Sequence, residues 1–258
     1  MKLLEYSMGE GVKAFSTTRD GGVSSGAYAG FNITHYCGDS PEAVARNRAT
    51  LCAWLTLDDD RLLLPRQTHG DSVLCVDEAF LARVPEERTA LLHGVDAVVT
   101  NVPRLCIGVS TADCVPVLLY DAVKGCVAAV HAGWRGTLAR IVEKAVRTMQ
   151  QRYSCSSDAI KAVVGPSISL DAFEVGDEVY AAFCDAGFSM EGIARKYGHK
   201  WHIDLWEANR LQLLACGLGK EAVQLSGVCT YSRCDEFFSA RRLGINSGRI
   251  FSGIMVEG

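Results

Sequence analysis

Three residues far apart in the chain have side chains that suit one another: His69 in RQTHG, Cys114 in STADCVPVLLY and His131 in AVHAGWRG. Each falls at the end of an apolar run or at a break in one, where side chains from several strands can converge on one rim. Two imidazoles and a thiolate form a coherent donor set for Zn²⁺, and three protein ligands leave a fourth position open. An open position separates a catalytic zinc from a structural one, because water bound there loses a proton near neutral pH. Cys114 would be deprotonated by the ion itself, whatever its free pKa of about 8.5. The glycines after His131 would let backbone or substrate come close.

The spacings of 45 and 17 residues match no short zinc motif. The residues alone therefore leave three readings open. The first is the zinc site. The second is two strand-end histidines hydrogen-bonded to backbone beside a buried cysteine. The third is a metal-free nucleophile, with Cys114 as thiolate, His131 or His69 as base and Asp113 as the group that orients the base. The other four histidines, His35, His93, His199 and His202, lie in polar or loop surroundings and carry no local signal.

The elements that must bring these residues together are legible in outline. Strands are expected over 12–18 and in the runs RLLLPRQTH and DSVLCVDE, split near Gly70. Four β-rich runs follow from Asp96: DAVVTN, LCIGVS, VPVLLYD and GCVAAVH, the last two joined by a hairpin at Asp121 to Gly125. KAVVGPSI, AVQLSGVCT and RIFSGIMV complete the strands. A helix is expected from Ser40, which can cap it, with Pro41 at the first helical position. A second is capped by Thr137, with Leu138, Ile141, Val142, Ala145, Val146 and Met149 on one face. Others open at Asp177, stopping at Gly187, and at Asp204, ending at Gly217. More strands than helices, interleaved, favour an α+β architecture of mixed sheets over a doubly wound parallel one.

Composition narrows the class. With net charge −4 and no block of like charges, the 258-residue chain lacks the clustered Lys and Arg of a nucleic-acid surface. No apolar stretch is long enough to span a membrane, and the N-terminus lacks the apolar centre of a signal peptide, so a cytoplasmic location is expected. Eleven cysteines, an odd number with no C-x-x-C, argue against a disulfide framework and against zinc ribbons. Most, including Cys52, Cys75, Cys106, Cys126, Cys184 and Cys216, read as small buried hydrophobes. Neither G-x-G-x-x-G nor a Walker motif follows a strand, which removes dinucleotide and P-loop nucleotide binding. With no linker or repeat, residues 1–258 read as one domain.

TRDGGVS (18–24), Phe31-Asn32, RQTHG (66–70), DAVVT (96–100), TADCVPVLLYD (111–121), AVHAGWRGT (129–137), GPSI (165–168) and CTYSRCDEFFSARRLGINSGR (229–249) occur in that order. Together they resemble the bacterial laccase-domain family, formerly called multicopper polyphenol oxidases. Its members are described as purine nucleoside phosphorylases with adenosine deaminase activity, or as peptidoglycan editing factors. The resemblance implies a single-domain αββα-type layered sandwich with mixed sheets, similar to toxin deamidases. It also implies one zinc per chain held by His69, Cys114 and His131. The implied reactions are phosphorolysis of adenosine, inosine, guanosine and methylthioadenosine, with phosphate as co-substrate, and deamination of adenosine. Neither nucleic acid nor membrane is an expected partner, and the chain would act as a monomer or homodimer. The GPSI loop departs from the family, with Ser167 where many relatives carry Cys and Ser169 where Gly is common.

Roles follow residue by residue. Zinc deaminases place a glutamate beside the metal in H-x-E, and here neither His69 nor His131 is followed by one. Asp113 is the candidate proton shuttle, or else a partner that orients a ligand histidine. Phosphate calls for guanidinium groups: Arg19, Arg66 and Arg135 rank above Arg48, Arg241 and Arg242, because each lies in a loop or beside a proposed ligand. Phe237 or Phe238 could stack on a purine, although one in the core and one out is the plainer expectation. Two other activities are carried along: an amidase editing peptidoglycan precursors, and weak oxidation with Cu²⁺ in the Cys/His site. Multicopper chemistry is excluded by ligand counting, since six histidines without a single His-x-His cannot build a trinuclear cluster.

Overall fold

Two sheets stacked face to face account for the apolar runs. In the computed structural model, which describes residues 1–258, the larger sheet has six strands. Their order is Val223–Leu225, Ile160–Val164, Val115–Asp121, Cys126–Ala132, Ala97–Thr100 and Val73–Val76. The other sheet has five, in the order Leu3–Glu5, Val12–Thr17, Ile250–Val256, Cys106–Thr111 and Leu62–Leu63. Each sheet is mixed: 223–225 on 160–164, 73–76 on 97–100 and 62–63 on 106–111 are parallel pairs, and the rest are antiparallel.

Side chains alternate across each strand, and both faces are covered. Leu118, Tyr120, Val127 and Ala129 pack between the sheets against Ile107, Val109 and Ile254. Val117, Leu119, Ala128 and Val130 face the other way, against Ile141, Val142, Ala145, Val146 and Met149 of helix Ile141–Tyr153 and Ala208 and Leu213 of helix Leu205–Ala215. On the outer face of the five-stranded sheet, Phe15, Phe251 and Met255 meet Leu51, Cys52 and Leu55 of helix Pro41–Leu55. The order of layers is therefore helix, sheet, sheet, helix. A strand covered on both faces needs apolar residues at every position, which is why its sequence runs apolar without alternation.

Local signals hold at several element ends. The Ser40 hydroxyl accepts the Ala43 amide at 3.3 Å, and the Asp204 carboxylate accepts that of Glu207 at 2.9 Å. Asp121 closes its hairpin by accepting the amides of Val123 and Lys124 at 2.8 and 3.0 Å. Several expectations need correction. RLLLPRQTH contributes only Leu62–Leu63 to a sheet. The long helix does not start at Thr137: a short helix, Trp134–Leu138, ends first, and Arg140 at φ 61° breaks the chain before Ile141. Helix 205–215 imposes the break, since Asn209 donates to the Thr137 hydroxyl and Gln212 to the Thr137 carbonyl. A third sheet, of Glu174–Val175, Lys200–Ile203 and Ala194–Tyr197, had no counterpart among the expected strands. Cys184 is exposed and Cys75 and Cys216 are half-buried, so fewer cysteines are core residues than expected. No helix is long and apolar enough to cross a membrane.

Candidate metal centre

Side-chain alternation predicts where the chemistry gathers. Val127 and Ala129 point between the sheets, so two residues on His131 does too. By the same count Cys114 continues the row of Leu118 and Tyr120, and Thr111 that of Ile107 and Val109. The chain passes from one sheet to the other between Thr111 and Val115, and Cys114 sits on that crossing. The apolar layer between the sheets thus ends at one edge in polar side chains. His69 joins them from the loop between Leu63 and Val73. Its ring lies edge-on to that of His131, with centroids 4.9 Å apart.

Asp96 organises this edge, and its sequence context, the start of DAVVTN, does not single it out. Its Oδ1 lies 2.7 Å from His131 Nδ1, so His131 carries its proton there and presents Nε2 to the site. The same carboxylate accepts the amides of Thr68, His69 and Gly70 at 3.2, 3.0 and 2.9 Å, and the Asp96 carbonyl accepts the His131 amide. His69 has φ 62°, a left-handed conformation that costs a side-chain-bearing residue about 1 kcal/mol or more. Three amides converging on one fully buried carboxylate hold it there.

Charge within the site is set by these contacts. Burial raises the Cys114 thiol, but the charge of His131 and hydrogen bonds from His131 and His69 outweigh it and bring the thiol down to about 6. Burial lowers His131, yet the Cys114 thiolate and the Asp96 carboxylate outweigh that and raise it to about 9. Burial also raises the Asp96 carboxyl, but the His131 ring and the loop amides more than offset it and keep it below the ordinary carboxylate range. Each charge favours the other, so without a metal these contacts favour a thiolate beside an imidazolium.

The residues fit a metal ion. The donor atoms of His69, Cys114 and His131 all lie within 4.8 Å of one another. A tetrahedral ion with bonds of about 2.0–2.3 Å holds its ligands roughly 3.3–3.7 Å apart, so small side-chain movements suffice. Gly133 leaves the space: a Cβ there would stand 3.0 Å from Cys114 Sγ and 3.3 Å from His69 Cδ2. No other group of three or more His, Cys, Asp or Glu residues is placed to hold a metal. The fold therefore provides one such site and no cluster.

The site opens on a cleft of about 150 Å³ lined by Tyr36, Gln67, Thr111, Ala112, Ile245 and Arg249, among others. No Asp or Glu lines it. Gln67 is fixed to the Ser110 backbone at both ends of its amide, and the Tyr36 hydroxyl rests on Pro65 and Gln67. Across Tyr36 lies a second cavity of about 600 Å³, lined by His35, Arg66 and His93 among others.

Of the residues singled out from sequence, the structure brings His69, Cys114 and His131 together. Asp113, adjacent to Cys114, sends its carboxylate elsewhere: Oδ1 accepts from the Thr230 hydroxyl and Oδ2 from the Arg241 amide, both at 2.7 Å. The carboxylate behind a ligand histidine is Asp96 instead. None of Arg19, Arg66 or Arg135 lines the metal cleft. Arg19 donates to the carbonyls of Ala29 and Cys234; Arg66 faces the cavity across Tyr36; Arg135 lies exposed over the Trp134 ring. Arg48 is paired with Asp59. Arg241 reaches the Glu174 carbonyl, and Arg242 the Tyr231 hydroxyl. Phe237 and Phe238 are both buried, with Val228 and Ile250, so neither can stack on a ligand. Ser167 is buried and accepts from the Trp206 indole. Asn32 accepts the amides of Thr34 and Arg249, which ties the Phe31-Asn32 segment to the cleft.

The arrangement defines a layered α+β protein with one group of three side chains, His69, Cys114 and His131, placed to hold a metal ion. The chain belongs to the family described as multi-copper polyphenol oxidoreductase laccase, matched over residues 13–257. It is 50% identical over 248 residues to a purine nucleoside phosphorylase of Bacteroides thetaiotaomicron, covering 95% of this chain and 92% of that one. It is 49% identical over 249 residues to adenosine deaminase RL5 of an unknown prokaryotic organism, covering 95% and 94%. Among solved structures it resembles YlmD from Geobacillus stearothermophilus, with TM-score 0.90 and 30% identity over 98% of this chain and 94% of that one.

Proposed function

We propose that the protein is a zinc-dependent enzyme of purine nucleosides, which cleaves them with phosphate and deaminates adenosine. The carrying observation is the open trio of His69, Cys114 and His131, oriented by Asp96 and facing a cleft free of carboxylates. The relatives named purine nucleoside phosphorylase and adenosine deaminase supply the substrate class. Zinc suits two imidazoles and a thiolate, and when bound it supplies a Lewis acid at the open position and a way of activating water near neutral pH.

The chain's own residues do the rest. Asp96 fixes the tautomer of His131 and holds the His69 loop in place. Gly133 keeps the space over the three donors clear. The cleft, at about 150 Å³, is smaller than the roughly 300–1,000 Å³ of a whole small-molecule pocket, so it takes the reacting end of a nucleoside. The remainder lies toward the rim, where the Ile245 side chain, 75% exposed, offers an apolar surface. Asp113 acts by holding Thr230 and the start of the short helix Ala240–Leu243 beside the cleft.

The test is to offer a mixture of nucleosides with inorganic phosphate, with and without chelator, and identify products by mass spectrometry. Free purine bases, sugar 1-phosphates and inosine, all lost on chelation and in His69→Ala, are expected. Full turnover after complete metal removal would overturn the reading.

A further inference from the structure

Phosphorolysis needs a place for a dianion, and we propose that Arg249 and Thr111 form it, at the end of the metal cleft, with inorganic phosphate as the ligand. The inference rests on the reading of the site as a phosphorolytic centre and adds the residues that receive the co-substrate.

Arg249 is the sole Arg or Lys lining the cleft. It is half-buried and makes no ion pair. Its guanidinium is nevertheless held: Nη1 donates to the Ser247 and Gly248 carbonyls, and Nη2 to that of Ile245 at 2.8 Å. Its backbone amide donates to Asn32 Oδ1 at 3.1 Å. Carbonyls orient a cation without neutralising it. A positioned guanidinium with no counter-ion beside a cleft is suited to the fork of oxygens on a phosphate.

Thr111 gives a second, independent sign. It is 1% exposed and lines the same cleft, and its hydroxyl has no hydrogen-bond partner. Buried hydroxyls are normally satisfied, and an unmade bond of this kind destabilises the free protein. The hydroxyl oxygen is screened from solvent in this structure, so an anion supplies the missing acceptor when a small turn of the Thr111 side chain brings it to the cleft. No lining side chain is a carboxylate, and the one thiolate among them, Cys114, is gathered with His69 and His131.

The step balances without an oxidant. A phosphate oxygen bonds to the ribose C1′ as the glycosidic C1′–N bond breaks, and that electron pair leaves with the purine. The proton of hydrogen phosphate passes to the purine, giving a free base and a sugar 1-phosphate.

Arg249→Gln and Arg249→Lys in the zinc-loaded full chain test this. Phosphate binding is measured by calorimetry, and KM is measured separately for phosphate and inosine. For Arg249→Gln, phosphate affinity is expected to fall by about tenfold or more, with KM rising for phosphate far more than for inosine and partial recovery in Arg249→Lys. Were Arg249 only a clamp on the 245–248 loop, both KM values would rise together. Should Arg249→Gln fail to fold, Thr111→Val takes its place: phosphate affinity is expected to fall with no loss of melting temperature. Unchanged phosphate affinity in the variants, or no phosphate binding by the wild type, overturns the proposal. Absence of any nucleoside turnover by the wild type overturns the enzyme reading instead, and the calorimetry still decides whether Arg249 binds the anion.

Discussion

The Asp96 carboxylate and the His131 ring meet at 2.7 Å, and through the same two oxygens Asp96 carries the loop on which His69 stands. One buried acid thus sets two of the three candidate metal donors. Replacing it by Asn removes the anionic acceptor for the ring and for the loop amides. Asp96→Asn is expected to weaken zinc binding about 10–100-fold, measured by chelator competition. Unfolding in urea should show a loss of about 1–3 kcal/mol, because buried donors go unpaired. Unchanged metal affinity would show that Asp96 serves stability alone.

Metal uptake should depend on pH with a definite sign. At pH 7 the metal-free site holds a thiolate at Cys114, brought down to about 6, and a proton on His131, raised to about 9. The ion needs the His131 lone pair, so binding between about pH 6 and 9 displaces close to one proton, and affinity rises as pH rises. Below about 6 Cys114 is protonated too and the dependence steepens. Titrations in weakly buffered solution measure the released proton directly. A pH-independent affinity between 6 and 9 would contradict the charge state described.

Gly133→Ala separates space from backbone. Gly133 has φ −65°, which alanine adopts without strain. The added methyl would nonetheless press on Cys114 Sγ and His69 Cδ2 at 3.0 and 3.3 Å. The variant should fold with a melting temperature near that of the wild type while losing about tenfold or more in zinc affinity. Wild-type metal binding would mean that the donors have more room than their positions allow.

Asp113→Asn tests positioning against proton transfer. Because its two oxygens hold Thr230 and the Arg241 amide, the expected result is full zinc content, a raised nucleoside KM and a modest fall in kcat. A collapse of kcat with loss of one limb of the pH–rate profile would instead make it a proton carrier.

Sequence carried the fold where a physical rule is local. Runs such as VPVLLY are apolar throughout because both faces are covered, and Ser40, Asp121 and Asp204 sit where side-chain capping needs them. Once the strands are placed, alternation puts Cys114 and His131 on one face. What stayed hidden depends on tertiary contact. The chain break at Arg140 comes from a helix some 65 residues onward, through Asn209 and Gln212. In the sheet around Lys200–Ile203, the strand Ala194–Tyr197 exposes Arg195, Lys196 and Tyr197 and offers no core pattern to read. Asp96 looks like the polar start of a strand, and only the observation that it precedes four fully buried residues hints that it is buried itself. Arg249, in a Gly/Ser-rich loop, reads as a solvated charge until the cleft is seen.

The most direct measurement is stepwise reconstitution: strip the protein with chelator, return zinc in fractions of an equivalent, and follow nucleoside turnover at each step. Activity absent at zero zinc and rising linearly to a sharp break at one ion per chain, with no recovery in Cys114→Ser, is the expected result. Undiminished turnover in the stripped protein, or a break at several ions per chain, would contradict a single reactive metal held by His69, Cys114 and His131.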